Sequence, residues 1–468
     1  MKVKNIAKII VFCMIFIFLL NRIYDIFSWK DTAGDYTSSM ESFYDLEENV
    51  VDVLFLGTSH TYCSTIPAQL WEDYGMASFS MAISGQDIVS SYYNFVEALK
   101  TQDLKVVCVD MFGCAFSGYI IEGNLYRNTL SRKLSLSSVE AVNAMVETDN
   151  KSDFILRWPI IHTRYRELKK QDFATTSPVY LGYIAGYDAY GAKKLDFGKV
   201  EPKPMGETEQ EYLIKMIELA QESGTELVFV LVPYEVQLKD QERIAYAKEI
   251  IAEYNVPVLD LVELSDEIGL DWEKDMIDYG HTNYWGAQKV TAYLGEYLKS
   301  HYELADHRGE AEYALWDLDL KARQHDWNNY VLTKITDRQT YFEELSRLED
   351  YTIVVSTTGE YISGEAEIEE CLQMLGGFHE FYNGSNVWVF DNGENIYTAN
   401  ANNTLKTMPL TFGELLVSVS DQSTNIMVDR VAYQKSTNGV NVLVYDNILG
   451  IVVDSVGFEA MYAYGMVR

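Results

Sequence analysis

The sequence predicts an α/β fold, a parallel five-stranded sheet between helices, followed by a smaller β-rich domain. Three observations predict it. Five short apolar runs alternate with helical patterns between Val51 and His301. Runs of this kind read as strands buried on both faces, and strand–helix–strand order gives parallel pairing. Beyond Tyr351 the pattern changes to strand-like runs separated by turn signals: Asn383-Gly384, Asp391-Asn392-Gly393 and Asn438-Gly439.

The chain has 468 residues, enough for two or three domains. Apolar residues make up 48% and charged residues 23%, which allows a sizeable core and excludes wholesale disorder. Lys and Arg number 37 against 70 Asp and Glu, a net charge of −33. Such a chain repels phosphate backbones, so nucleic acid is excluded as a partner. The 34 tyrosines fit a strand-rich core and are also able to stack on sugars or peptides. The five cysteines (Cys13, Cys63, Cys108, Cys114, Cys371) are scattered and contain no Cys-x-x-Cys pair. They form no disulfide framework, and the sequence implies no metal and no cofactor.

Residues 1–30 read as an N-terminal membrane anchor. Lys2, Lys4 and Lys8 precede an unbroken apolar run from Ile9 to Leu20. A spanning helix needs about 20 residues. Lys8 and Arg22 can snorkel, Ile23, Tyr24, Ile26 and Phe27 extend the run, and Trp29 suits a membrane–water interface. A cleaved signal peptide is the rival reading. It wants small residues at −3 and −1, yet Ser28 is the only small residue between Leu20 and Thr32, and Thr32 and Gly34 lie far from the run. Basic residues before the run, with Asp25, Asp31, Asp35 and Glu41 after it, place the N-terminus inside and the bulk of the chain outside the cytoplasm.

The first domain is expected over 47–304. Its strands are Val51–Leu56, Ser78–Ile83, Lys105–Val109, Leu227–Val232 and Val256–Leu259, the last weakened by Pro257. Its helices are Ser90–Lys100, Glu209–Ser223, Asp240–Tyr254 and Gly286–His301. Phe112 to Gly206 reads as an irregular insertion with helices near Ser137–Glu147 and Ile161–Lys170. Residues 305–349 form a helical linker. The β-rich domain, 350–468, has strands at Tyr351–Ser356, Val387–Phe390, Leu415–Val419 and Val440–Tyr445.

Two strand-end segments carry chemistry. The first strand runs into Gly57-Thr58-Ser59-His60, so Ser59 lies at the carboxyl edge of the sheet, where open α/β folds place their ligands. A serine there is also an ordinary helix cap. Asp278-Tyr279-Gly280-His281 follows the last strand. An Asp three residues before a His can accept the imidazole Nδ1–H while Nε2 faces a serine from another loop. The same pair is able to cap the closing helix. His60, beside the serine, leaves the backbone in another direction and reads as a substrate contact and not as the base. His162, Arg164 and Arg166 form a basic cluster in an acidic chain, either a solvated helix face or a contact for an anionic or sugar substrate.

Taken together and in this order, these segments resemble the SGNH (GDSL-like) hydrolase and acyltransferase superfamily over about Val51 to His301. The resemblance implies Ser59 as nucleophile, Asp278 as orienting carboxylate and His281 as general base. It implies an oxyanion hole from the backbone N–H groups of Ser59 and Gly85, the latter in Ile83-Ser84-Gly85-Gln86. Two departures stand out. Thr58 replaces the usual Asp, and Val109-Asp110-Met111-Phe112-Gly113 replaces the Gly-x-Asn-Asp block, whose asparagine supplies an oxyanion donor. Asn124 and Asn128 are possible substitutes, but nothing in the sequence positions them. The anchor, block order and β-rich tail resemble the membrane-anchored branch that acylates cell-surface polysaccharides. Gly439 to Asp446 and Val452 to Val456 resemble interleukin-like EMT-inducer domains, which implies a carbohydrate-binding module. The implied function is extracytoplasmic serine-dependent O-acyl transfer, of acetyl by expectation, onto a surface polysaccharide, served by a membrane-bound acyl-donor protein. A carbohydrate esterase and a non-catalytic scaffold on the same fold are the alternatives.

Overall fold

The structure is a computed structural model describing residues 3–28, 39–116, 122–147, 149–168, 170–173, 181–358, 366–376, 384–400, 404–420, 423–462 and 464–468. Trp29 and Asn383, singled out above, lie outside the described residues. The chain divides into two compact units, Met1–Leu320 and Lys321–Arg468. The division falls inside a helix that runs Ala314–Lys334.

The first unit is built on five parallel strands: β1 (Val53–Leu56), β2 (Ser78–Ser80), β3 (Val106–Asp110), β4 (Glu226–Leu231) and β5 (Val258–Asp260), in the order β2-β1-β3-β4-β5. Side chains alternate between two faces, as the two-residue period of a strand requires. Leu54, Leu56, Val107, Val109 and Phe229 pack into one core, while Val53, Phe55, Val106, Cys108 and Val228 pack into the other. Pro257 lies just before β5, where its carbonyl still accepts the Phe229 N–H at 3.0 Å. The chain leaves β1 for β2 on one side and later returns to β3 on the other. The carboxyl end of β1 therefore lies at the switch in winding direction, the usual place for a ligand crevice.

Capping fixes the helices that follow the strands. Asp87 accepts the Ser90 N–H at 2.7 Å and starts helix Ile88–Ala98. Asn283 accepts the Gly286 N–H at 3.1 Å and starts the closing helix, Tyr284–His301. The insertion holds short helices at Glu122–Leu130, Leu136–Met145, Lys151–Leu156 and Trp158–Ile161. The helix expected over Ile161–Lys170 is replaced by a 3₁₀ segment, His162–Arg166. Its tighter winding turns Arg164 inward, where the guanidinium donates to the carbonyls of Phe27 (2.8 Å) and Ser28 and pairs with Asp172 (2.8 Å).

The N-terminal helix runs Val3–Phe27, and its Lys8–Phe27 part is long and apolar enough to cross a membrane. Side chains from Ile9 to Leu20 are exposed. The five cysteines are free: Cys108, Cys114 and Cys371 are buried, Cys63 is half-buried and Cys13 is exposed on the N-terminal helix. Burial pushes the Cys108 thiol up to about 12 and raises those of Cys63 and Cys114 further.

The second unit contains β6 (Tyr351–Thr358), β7 (Asn386–Asp391), β8 (Glu394–Asn400), β9 (Thr404–Leu410), β10 (Gly413–Ser420), β11 (Ser423–Val428), β12 (Val431–Ala432), β13 (Gly439–Asp446), β14 (Ile451–Glu459) and β15 (Gly465–Val467). They form two antiparallel sheets, β15-β14-β13-β6-β7-β8 and β12-β11-β10-β9. Strands β6 and β13 are buried along their whole length, because each face is covered. Ile353, Val355 and Val442 pack with Leu332, Tyr341 and Phe342, while Val354 and Leu443 pack against Leu415, Val417 and Ile426 of the smaller sheet.

A polar cluster around Asp446 is buried in this unit. Asp446 accepts hydrogen bonds from His325 Nδ1 (3.1 Å) and Asn329 Nδ2 (2.7 Å), while Tyr351 donates to Asn329 Oδ1 (2.8 Å) and stacks on His325 at 4.8 Å. Burial works to raise the Asp446 carboxyl, but hydrogen bonds from His325, the Leu449 N–H and Asn329 outweigh it and hold it below the usual range. Replacing one member strands the others without partners. Asp446→Ala is expected to destabilise the β-rich unit by about 3–5 kcal/mol, read as a drop in its thermal unfolding midpoint at neutral pH. Because the folded carboxyl is depressed, the difference from wild type shrinks as pH falls through the carboxylate range.

Candidate active site

At the end of β1 the backbone must pass close to two side chains. A Cβ on Gly57 would lie 2.1 Å from Thr61 Oγ1 and 2.6 Å from Asp110 Cβ, so only glycine fits. Thr58 then caps a short helix, Ser59–Ser64, its Oγ1 accepting the His60 N–H at 3.2 Å. A threonine thus does the capping in the place where the resembled family carries Asp. Ser59 is the first helical residue, at the carboxyl edge of the sheet.

A second loop comes to meet it. Met276 and Thr282 form an antiparallel bridge, and the Ile277 N–H donates to the His281 carbonyl at 2.9 Å. Asp278-Tyr279-Gly280 is therefore the tip of a tight loop. Thr282 Oγ1 bonds Cys63 O (2.8 Å) and Ser64 Oγ (3.0 Å), which pins this loop to the far end of the Ser59 helix. His281 Nε2 then lies 2.8 Å from Ser59 Oγ. His281 Nδ1 lies 2.9 and 3.0 Å from the two oxygens of Asp278. Asp278 Oδ1 also accepts the N–H groups of Gly280 (2.7 Å) and His281 (2.9 Å). Partial burial works to raise this carboxyl, but the Gly280 N–H, the His281 imidazole and the His281 N–H together hold it below the usual range. An ionised Asp278 fixes the imidazole with Nδ1 as donor and leaves Nε2 as acceptor toward the serine hydroxyl.

The strand pairing that continues past β2 delivers Gly85. Met81 N–H donates to Phe55 O (2.9 Å) and Ile83 N–H to Gly57 O (3.0 Å), so Ser84-Gly85 runs abreast of Thr58-Ser59. Gly85 has φ +66°, a left-handed conformation that favours glycine. Neither the Ser59 N–H nor the Gly85 N–H donates to another group among the described residues.

The insertion reaches the same point. A Cβ on Gly85 would lie 2.2 Å from Nδ2 of Asn124, so the Asn124 side chain rests directly on this glycine. Arg127 donates to Asn124 Oδ1 at 3.1 Å. A guanidinium only donates, which turns the amide oxygen toward Arg127 and the NH₂ toward Gly85. Asn128 is fully committed elsewhere: its amide donates to Ser84 O (3.0 Å) and Asn124 O (2.8 Å) and accepts from Ser90 Oγ (2.8 Å). Of the two asparagines named above, Asn124 presents a donor beside Gly85 and Asn128 ties its helix to the Ser84-Gly85 turn. Nothing in the insertion's sequence signals this.

His60, expected as a substrate contact, is 8% exposed, with Nε2 beside the Gly280 turn. Its ring is buried between Phe112 (4.3 Å) and Tyr234 (4.6 Å) and meets His281 edge-on at 5.4 Å. Burial, reinforced by His281, pushes it down to about 3. It is a neutral wall behind the His281 imidazole. His162 and Arg164 are also elsewhere. His162 is exposed, with Nδ1 3.0 Å from Trp158 O, and Arg164 binds the end of the N-terminal helix. The residues brought together are Ser59, Asp278, His281 and Gly85, joined by Asn124. Among the described residues no group of His, Cys, Asp and Glu is disposed to hold a metal ion.

Asp110 ends β3 where the family's asparagine block is expected. It is buried under the Gly57 turn, accepting Thr61 Oγ1–H (3.2 Å) and the Phe112 N–H (3.2 Å). Burial pushes it up to about 7 against the pull of those hydrogen bonds.

Solved structures similar to this chain include three bacterial proteins, each at 12% sequence identity. One is a protein from Desulfitobacterium hafniense DCB-2 assigned to the lipolytic G-D-S-L family (TM-score 0.29, 53% of this chain and 98% of that one). Another is assigned as an acylhydrolase, from Bacteroides fragilis NCTC 9343 (TM-score 0.30, 58% and 99%). The third is the lipase/acylhydrolase of Enterococcus faecalis (TM-score 0.28, 55% and 99%). No family model matches the sequence, and no curated protein matches it.

The raised Asp110 carboxyl has a definite consequence for stability. The folded state keeps its proton where the unfolded chain has lost it, so stability falls as pH rises from 3.8 through about 7. Asp87, raised by burial to about 6, acts in the same direction. Asp110→Asn is expected to gain thermal stability over wild type progressively across that window and to hold a constant advantage above it. Melting curves at pH 4.5, 6 and 8 check this.

Proposed function

We propose that Ser59 is the nucleophile of an acyl-transfer reaction, with His281 as general base and Asp278 as its orienting carboxylate. The observation that carries this is the unbroken hydrogen-bonded chain Ser59 Oγ···Nε2 His281 Nδ1···Asp278 at 2.8 and 2.9 Å. Ser59 Oγ attacks the acyl carbonyl and its proton passes to His281 Nε2. The carbonyl oxygen becomes an oxyanion facing the Ser59 and Gly85 N–H groups. Collapse expels the first alkoxide or thiolate, which takes the proton from His281. An acceptor hydroxyl then gives its proton to His281 and attacks the acyl-serine; the acyl–Oγ bond breaks, Ser59 Oγ takes that proton back from His281, and the new ester departs.

We read the acceptor as a cell-surface polysaccharide and the acyl group as acetyl, delivered by a membrane-bound donor protein, with the bulk of the chain outside the cytoplasm. The N-terminal helix, whose apolar run from Ile9 is preceded by Lys2, Lys4 and Lys8, supports the location. Exposed Tyr279 at the loop tip and the Tyr187–Tyr284 pair (5.3 Å) beside that loop support a sugar acceptor, because aromatic faces stack on sugar rings. A carbohydrate esterase is the second reading. It uses the same acyl-serine with water entering in place of the sugar hydroxyl.

A serine-directed fluorophosphonate tests the nucleophile, with intact mass as readout. Wild type is expected to gain one adduct, and Ser59→Ala and His281→Ala none. Asp278→Asn is expected to lose activity by about 10⁴-fold, the cost of the wrong imidazole tautomer. An unlabelled wild type overturns the activated serine. Ester hydrolysis in water without acceptor selects the esterase; acyl transfer to added oligosaccharide without hydrolysis selects the transferase.

Asn124 is read as the oxyanion donor that the β3 block lacks. Asn124→Ala is expected to lower kcat about 10²–10³-fold with little change in KM, as for a lost oxyanion donor. Asn128→Ala is expected to act by loosening the turn, so that KM and thermal stability change with kcat.

A further inference from the structure

The insertion carries a feature that acyl transfer does not use. Leu134, Leu136 and Leu156 are 66, 84 and 67% exposed, and Trp158 is 45% exposed. Large apolar side chains grouped this way mark a contact surface. Leu134 and Leu156 border the same cavity as Asn21 and Tyr24 of the N-terminal helix, Trp158 packs beside the end of that helix, and Leu136 follows Leu134 by two residues. Phe27 packs on Trp158 at 5.5 Å. Arg157, with φ +61°, makes the turn between the helix that ends at Leu156 and the one that starts at Trp158. Its guanidinium donates to the Tyr24 hydroxyl at 3.2 Å and to Leu130 O at 3.4 Å. Arg164 binds the last carbonyls of the same helix. The exposed apolar turn is thus tied to the helix end from two sides.

The space beside this junction is open. A cavity of about 570 Å³ is bordered by Asn21 and Tyr24 of the N-terminal helix and by Lys133, Leu134, Leu156 and Arg157 of the insertion, with Asp25, Glu41 and Asp45 also on its wall. Basic and aromatic groups among exposed leucines are the mixture found at a lipid headgroup boundary. Charge agrees. Residues 122–168 hold seven Lys and Arg against six Asp and Glu, whereas the chain as a whole holds 37 against 70. This segment is less acidic than the chain as a whole, with Arg132, Arg157 and Arg164 buried in it, so an anionic surface repels it less than an average stretch of the chain.

We infer that the insertion is a membrane-docking surface: Leu134, Leu136, Leu156 and Trp158 insert into the lipid headgroup boundary beside the spanning helix. The inference rests on the reading of Lys8–Phe27 as a membrane span. Docking and span together hold the first unit against the bilayer by two contacts in place of one tether.

The full chain, reconstituted in phosphatidylcholine–phosphatidylglycerol vesicles, tests both readings separately. An environment-sensitive fluorophore on native Cys13 reports the span. In a Cys13→Ser background, Leu136→Cys and Leu156→Cys report docking, and Tyr190→Cys, exposed in the same unit, is the control. Lipids carrying a quencher near the headgroup are expected to quench positions 136 and 156 several-fold more than position 190. Lipids carrying it at the tail are expected to quench position 13. Quenching at 13 with 136 and 156 equal to 190 overturns docking and leaves the span. No quenching at any position overturns both. Shielding of 136 and 156 from aqueous quencher without lipid quenching assigns the face to a protein partner and overturns the inference.

Discussion

The hydrogen bond from Ser59 to His281 joins side chains 222 positions apart in the chain, and the arrangement of the first unit follows from the need to form it. Parallel strands make this feasible because they all end at one edge. A loop after β1 and a loop after β5 then open on the same side of the sheet, although four crossovers separate them. Each side chain is held from behind by polar pairs. Thr58 fixes the serine's helix, and Thr282 clamps the histidine's loop to the other end of that helix. The clamp uses a threonine hydroxyl shared between Cys63 O and Ser64 Oγ, so that the two loops move as one body.

Burial sorts the ionisable groups around this bond into separate roles. Asp278 keeps solvent contact and several N–H donors, and stays charged. His60, one residue from Ser59, is enclosed by Phe112 and Tyr234 and stays neutral. Asp110, under the turn, holds its proton to near neutrality. A second positive charge beside His281 would disfavour protonation of its imidazole, and the enclosure of His60 prevents it.

Much of this was legible in the sequence. Apolar runs closed by polar residues marked all five strands of the first unit. A serine after the first run and an Asp-x-x-His after the last marked the two loops, since strand ends and a three-residue spacing are local properties. What escaped was non-local. Asn124 reaches Gly85 from an insertion whose path no periodicity encodes. The basic cluster at Arg164 was read as a solvated helix face or a ligand contact, because a charge pattern does not reveal which carbonyls it will meet; Arg164 meets those of Phe27 and Ser28. His60 was read as a substrate contact from its place beside Ser59, but its burial depends on the segments just past β3 and β4, which supply Phe112 and Tyr234.

The free cysteines have a consequence for how the fold is held together. Nothing among the described residues is cross-linked, and Cys63, Cys108 and Cys114 are held as protonated thiols by their surroundings, which suppresses the thiolate that oxidants and disulfide exchange require. Both units take their stability from packed cores and buried polar pairs. No disulfide therefore contributes to the packing of the described residues in either unit.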